Sequence, residues 1–204
     1  MAKHRTPIVK LSRRLGITLG KEKYVRRRPY PPGVHGPKQA RSRKRLSSFG
    51  EQLIEKQKAK AIYGVLERQF SGYFQKASRK EGDTSENLVR LLELRLDNVV
   101  YRLGWARTRR QSRQMVNHGF IQVNAGRVDI PSYSVSVGDI ITIKPSKVEK
   151  GIVKVIPEAM NLGTLPGWIS RDDKATSGKI TSLPEGEELK QGFDPTLIVE
   201  FYSR

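Results

Sequence analysis

The chain has 204 residues, carries 39 Lys and Arg against 20 Asp and Glu for a formal charge of +19, and contains no cysteine. That length supports one or two domains with real cores, which excludes a purely disordered polycation. Without cysteine there is no disulfide framework, thiolate metal site or cysteine nucleophile. No apolar run approaches the roughly 18 residues of a membrane span, and residues 1–15 lack the apolar centre of a signal peptide, so a soluble, unsecreted protein is expected.

The charge is uneven. Residues 1–50 hold fifteen Lys and Arg and one acid, Glu22. This reads as a basic arm that repels itself until a polyanion neutralises it, and nucleic acid is the expected partner. Pro29, Pro31, Pro32, Gly33, Gly36 and Pro37 exclude a long helix and predict an extended course that threads between phosphates. Tyr24, Tyr30 and His35 are interleaved with Arg26, Arg27, Arg28 and Lys38, offering rings for unpaired bases beside cations for phosphates. Arg13 and Arg14 precede this stretch, and Arg41, Arg43, Lys44 and Arg45 close it with a second basic cluster. A tail that served solubility alone would need neither the aromatics nor the Pro-Gly punctuation. No amphipathic helix with a bulky apolar face suggests a membrane anchor.

At Ser48 the chemistry changes. Ser48 with Glu51 forms a capping-box pattern, and Glu51–Tyr63 predicts a helix. A second is predicted from Val65 to Lys80, with Leu66, Phe70, Tyr73, Phe74 and Ala77 on its core face. After a turn at Lys80–Asp83, the apolar residues from Leu88 to Leu103 keep helical spacing through two helices or one bent one, ending at Gly104.

Thr108 with Gln111 suggests another cap, and His118-Gly119 a helix end. Between them Arg110, Arg113, Gln114 and Asn117 share one side of the helix, while Ser112, Met115 and Val116 share the opposite, packing side. The helix N-terminus beside Arg109 and Arg110 suits a phosphate. No acid occurs between Asp97 and Asp129, an interval that holds Arg102, Arg107, Arg109, Arg110, Arg113 and Arg127. Local carboxylate pairing is therefore not expected to neutralise this surface. Phe120–Asn124 reads as a strand, Asn124-Ala125-Gly126 as a tight turn, Arg127–Ile130 as its continuation, and Ile140–Lys144 as a further strand after Gly138-Asp139. Trp168 is expected to be a core anchor. Asp194-Pro195 can cap a helix over Leu197–Tyr202, although the same run has strong strand propensity, and both readings stand.

Enzyme signatures are missing. Gly178-Lys179 lacks the preceding Gly and following Ser or Thr of a phosphate loop, because positions 173 and 180 are Asp and Ile. There is no nucleophile elbow, zincin motif or dinucleotide fingerprint. His4, His35 and His118 fall in a tail, a loop and a helix end, which builds no triad. Asp97 stands in an Arg-Leu-Asp setting like the catalytic one of pseudouridine synthases. Here it belongs to a helical stripe, where an exposed or pairing carboxylate is expected, and the chain has no room for the large catalytic domain of those enzymes.

Several of these stretches carry a family likeness. Residues 95–104, 108–114, Val123-Asn124, 128–133 and Gly138-Asp139 resemble the RNA-binding module named after small-subunit ribosomal protein S-four. Residues 28–36, 48–50, 55–58, 63–70 and 197–203 resemble the full-length bacterial members of that family, so the likeness covers nearly the whole chain. It implies an α+β fold: a basic extended arm over 1–47, a helical domain over 48–93 to which 184–204 returns, and an α+β domain over 94–183. Within the last, the RNA-binding module at about 94–145 is a helix-turn-helix followed by antiparallel strands.

The same likeness implies a cytoplasmic structural protein of the small ribosomal subunit. Such a protein binds 16S ribosomal RNA early, helps to start subunit assembly and contributes to decoding accuracy. Ribosomal protein S-five is its implied protein neighbour, and messenger RNA a further partner where the message enters, with the 41–45 cluster either on that side or, as the simpler alternative, on ribosomal RNA. No membrane, small-molecule substrate, cofactor or metal is expected. Some relatives hold zinc through cysteines in the arm, whereas this arm has none and must be ordered by RNA and packing. Gly151, Pro157 and Gly163 depart from the longer helix that relatives form within 147–165. The alternative function is a free-standing RNA chaperone or translational regulator, and behind it an architectural DNA-binding protein, because phosphate attraction alone does not separate these.

Overall fold

A computed structural model describes residues 6–41, 46–147, 165–172 and 176–204. The chain forms two compact units: Met1–Leu88 with Lys190–Arg204, and Val89–Leu189. The fold class is α+β.

In the first unit, the arm is more folded than its proline content suggests. It contains three short helices, α1 (Ile8–Leu15), α2 (Glu22–Arg26) and α3 (Gly36–Arg41), instead of one extended course. Gly16 ends α1 in the left-handed conformation, and the Ser12 hydroxyl accepts the Leu19 N–H at 3.2 Å, which turns the chain back. Close packing fixes the Pro-rich turn. A Cβ on Gly36 would lie 1.9 Å from the Pro31 carbonyl oxygen, so only glycine fits there.

Helix α4 (Ser48–Tyr63) is capped one residue earlier than the capping-box pattern indicates: the Ser47 hydroxyl, not that of Ser48, accepts from Gly50 N–H. It is followed by α5 (Glu67–Ser78), which buries Phe70 and Ala77 and leaves Leu66, Tyr73 and Phe74 half-buried. Asp83 accepts the Ser85 N–H at 2.9 Å at the start of α6 (Thr84–Glu93). The 197–202 run is a helix, α9 (Pro195–Tyr202), in which the Asp194 carboxylate accepts from Thr196 N–H and Pro195 occupies the first turn. Capping and packing override the strand propensity. Helix α9 lies on α4, with Gln52 donating to Glu200 at 2.8 Å and Asp194 N–H donating to Glu55 at 2.9 Å. Its Tyr202 ring stacks 4.8 Å from Phe74 and 6.2 Å from Phe70.

In the second unit, α7 (Leu96–Arg102) is separated from α6 by a turn at Leu94 and an extended step at Arg95. That step pairs with residues 133–135 through Leu96 N–H to Tyr133 O at 2.8 Å and Val135 N–H to Leu94 O at 3.0 Å. Two helices result, because this backbone satisfies a neighbouring segment in place of a helical turn. Helix α8 (Arg109–Asn117) is capped by Thr108, whose hydroxyl accepts from Gln111 N–H. The reciprocal bond goes to Arg107, whose N–H reaches the Gln111 side chain at 3.0 Å.

Strands β1 (Ile121–Val123), β2 (Gly126–Arg127), β3 (Ile140–Ile143), β4 (Ile169–Arg171) and β5 (Ser177–Ile180) form an antiparallel sheet in the order β2-β1-β3-β5-β4. β2 is shorter than the expected continuation through Ile130. Asn124 and Ala125 both have positive φ, the geometry of a tight hairpin turn. Ile121, Val123, Ile141, Ile143, Ile169 and Ile180 face a core shared with Val99, Leu103, Trp105, Met115 and Val116. Trp168 is 2% exposed and anchors that core, as expected. The approach of α7 to the sheet is tight, since a Cβ on Gly178 would lie 2.4 Å from Leu103 Cδ2. Most of 147–165 lies outside the described residues.

Candidate nucleic-acid interface

The α7–α8 pair builds the main basic surface. Ser112, Met115 and Val116 of α8 are buried, while Arg110, Gln114 and Asn117 are exposed on the other side. This is the two-faced helix that the 3.6-residue period requires. Arg107 is exposed just ahead of it. Arg127 joins from the sheet: a Cβ on Gly119, at the end of α8, would meet the Arg127 guanidinium at 3.0 Å.

The expectation that this surface lacks carboxylate partners is wrong. Arg113 donates to Asp97 at 3.2 Å. Arg102 is gripped twice by Glu93, at 2.9 Å and 2.9 Å. Arg127 lies 3.3 Å from Asp129. A stretch free of acids in sequence is not free of them in space, because the extended step and the helix that follow bring Glu93 and Asp97 against it. Asp97, read as exposed or pairing, is buried at 4% exposure. It also receives two hydrogen bonds from Arg95, which is 1% exposed, at 3.0 Å and 2.7 Å. Asn98 links the two halves, donating to the Glu93 carboxylate at 2.8 Å and accepting from Arg109 Nε at 2.8 Å. The Arg109 guanidinium also lies 4.5 Å from the Tyr101 ring centroid.

These contacts hold charged forks in fixed directions, so less rotamer freedom is lost when a phosphate arrives. Arg110, in contrast, has no side-chain partner among the described residues and extends into solvent. Glu93, Arg95, Asp97, Asn98 and Tyr101 were absent from the expected site. The apolar spacing that assigns 96–103 to a core stripe gives no sign that polar members of the stripe orient the next helix.

The arm's residues divide. Arg13 is turned onto the Pro-rich turn, donating to the Tyr30 and Pro31 carbonyls at 2.8 Å and 3.3 Å with its guanidinium 4.8 Å from the Tyr30 ring. Arg13 and Tyr30 are therefore engaged within the arm. Arg26 pairs with Glu22, the only acid among the first fifty residues. Tyr24, at 61% exposure, and Arg14, Arg27, Arg28, His35 and Lys38 face solvent. Arg41 ends α3, while Arg43, Lys44 and Arg45 lie outside the described residues.

Among the described residues no group of three or more His, Asp or Glu side chains is placed to hold a metal ion. Likewise, no described helix is long and apolar enough to cross a membrane.

Comparison with known proteins divides the chain near the start of the second unit. Residues 3–93 match the model of the ribosomal protein S4/S9 N-terminal domain, and residues 94–141 match the S4 domain. The small ribosomal subunit protein uS4 of Roseiflexus sp. (strain RS-1) is 46% identical over 208 residues, covering 100% of both chains. The proteins of the same name from Listeria monocytogenes serotype 4b (strain CLIP80459) and Geobacillus stearothermophilus are 48% and 49% identical, again over 100% of both chains. The chain belongs to the S4 family of small-ribosomal-subunit proteins, RNA-binding structural components of the ribosome and not enzymes.

Proposed function

We propose that the chain is a primary binder of 16S ribosomal RNA that docks by the α7–α8–β2 surface on a folded junction and orders its arm along neighbouring grooves. The observation that carries this reading is the set of guanidiniums on α7 and α8 held by Glu93, Asp97 and Asn98. Fixed forks match a fixed phosphate contour, as an early assembly step on structured RNA requires, whereas a chaperone of varied RNAs would gain from mobile ones. Charge supplies most of the affinity and shape supplies the selectivity.

The same reading extends to helping start subunit assembly and to decoding accuracy. It also extends to contact with ribosomal protein S5 and to a position near entering messenger RNA, with the 41–45 cluster the basic segment for that last role. A nucleotide-resolution footprint of the full chain on 16S RNA tests it. Protection confined to one junction, lost together with Arg110 and Arg127, supports the reading. Absence of protection, or equal affinity for duplex DNA at physiological salt, overturns it. Cofractionation with small subunits after a high-salt wash separates it from a free-standing chaperone or regulator.

A further inference from the structure

The arm holds a recess of about 290 Å³ lined by Val9 and Arg13 of α1, Tyr24 of α2, and Arg27 and Arg28 just beyond α2. No carboxylate lines it, and the neighbouring Glu22 is occupied by Arg26. Arg13 is anchored on the Tyr30 and Pro31 carbonyls, which gives the recess a fixed cationic wall. The guanidiniums of Arg27 and Arg28 make no hydrogen bond or ion pair among the described residues, and Tyr24 is 61% exposed.

We infer that this recess receives one unpaired nucleotide of an RNA strand, its base against the Tyr24 ring and Val9 and its phosphates on Arg27 and Arg28. A bare phosphate has no use for an aromatic ring beside an aliphatic wall. A paired base cannot enter, because its neighbours in the stack cover both faces. The volume sits at the lower edge of small-molecule sites, roughly 300 Å³, which suits one nucleotide and not a duplex edge. Stacking on an exposed ring beside cations is the usual way that single-stranded bases are held. The inference deepens the proposed RNA reading and rests on it. It assigns the arm a grip on an extruded base, distinct in chemistry from the phosphate-facing forks of α8.

The test uses the full chain and two RNA hairpins that differ at one position. One carries a bulged 2-aminopurine, and in the other the same position is paired. Binding of the bulged hairpin is expected to quench the 2-aminopurine fluorescence. Tyr24→Phe should keep both quenching and affinity. Tyr24→Ala should abolish quenching and weaken the bulged hairpin by about 5- to 150-fold, the range that loss of one stacked base gives, with less than a twofold change for the paired one. Arg27→Ala with Arg28→Ala should weaken the bulged hairpin and flatten its salt dependence.

Unchanged circular dichroism and an unchanged melting temperature establish that a variant is folded. A Tyr24→Ala protein that binds the bulged hairpin normally, or that loses both hairpins equally, overturns the inference. So does displacement of the bulged hairpin by micromolar AMP, which would assign the recess to free nucleotides. If the wild-type chain footprints 16S RNA and Tyr24→Ala is silent, only the recess assignment fails. If the wild-type chain leaves no footprint, the proposed function fails with it.

Discussion

Arg113 of α8 and Asp97 of α7, sixteen residues apart in sequence, meet at 3.2 Å, and the same carboxylate holds the buried Arg95. One anion thus neutralises a core cation and aims a surface one. Removing it from the middle of this arrangement takes the paired carboxylate from a buried cation, the costly way to break a buried pair.

Asp97→Asn should therefore destabilise the second unit by about 3–5 kcal/mol, the usual cost of deleting one partner of a buried ion pair. Chemical denaturation of the wild type and variant measures it. A loss below about 1 kcal/mol would mean that Arg95 finds another partner or that water reaches it.

Arg110→Ala should weaken 16S RNA binding and lower the salt slope by about one unit while stability stays within about 0.5 kcal/mol, since the side chain is exposed and unpaired among the described residues. Arg113→Glu should behave differently. It would set a carboxylate against Asp97 and lower stability as well as affinity. Measuring melting temperature and affinity for both variants separates a surface contact from one that also supports the fold.

The Glu67 carboxylate joins α4, α5 and α9, accepting from Lys56 at 3.1 Å, Lys60 at 2.5 Å and the Tyr202 hydroxyl at 2.6 Å. Burial alone would raise its pKa, but the hydrogen bonds from Lys60, Tyr202 and Lys56 outweigh it and hold the carboxyl down at about 2, below the ordinary 4.5. Burial, followed by the bond to Glu67, pushes the Tyr202 hydroxyl up. A depressed carboxyl stabilises the fold above its unfolded pKa and loses that contribution as pH falls through the folded one. The α4–α5–α9 packing should thus weaken between about pH 4.5 and 2. Because the Glu67 side chain is 47% exposed, solvent screening keeps the effect modest. Glu67→Gln should flatten acid unfolding over that window, and an unchanged profile would show that the ion pairs contribute nothing measurable.

Gly178→Ala should cost about 1–3 kcal/mol, because its Cβ would overlap the Leu103 side chain at 2.4 Å and overpack the junction of α7 and the sheet. Adding Leu103→Ala removes the clash, so the double variant should be more stable than the sum of the single changes predicts. Strict additivity in a double-mutant cycle would place the strain elsewhere.

What could be read beforehand and what could not follow from the reach of each signal. Helical periodicity reports one element at a time, and it separated Ser112, Met115 and Val116 from Arg110 and Gln114 correctly. Capping chemistry is equally local, and Thr108 and Asp194 start their helices as their side chains suggest. The C-terminal run was ambiguous because its propensity favours a strand while its cap favours a helix, and burial of Ile198 against α4 decides the matter. The partners of Arg102 and Arg113 were invisible because they depend on the turn at Leu94 and the extended backbone of Arg95. That conformation is fixed by pairing with residues about forty positions later. The arm's short helices were missed for a related reason. Proline and glycine mark where a chain must turn, not whether the segments between turns coil.

The docking of α9 on α4 also bears on the order in which the protein takes shape as it is made. Residues 89–189 supply the described core of their own unit, whereas the first unit is completed by residues 190–204, which are made after all of the second. Phe70 and Phe74 of α5 must wait for Tyr202, and Gln52 of α4 must wait for Glu200. During that delay the amino-terminal helices carry an uncovered aromatic face beside a strongly cationic arm, a combination that favours early capture by RNA over waiting unaccompanied.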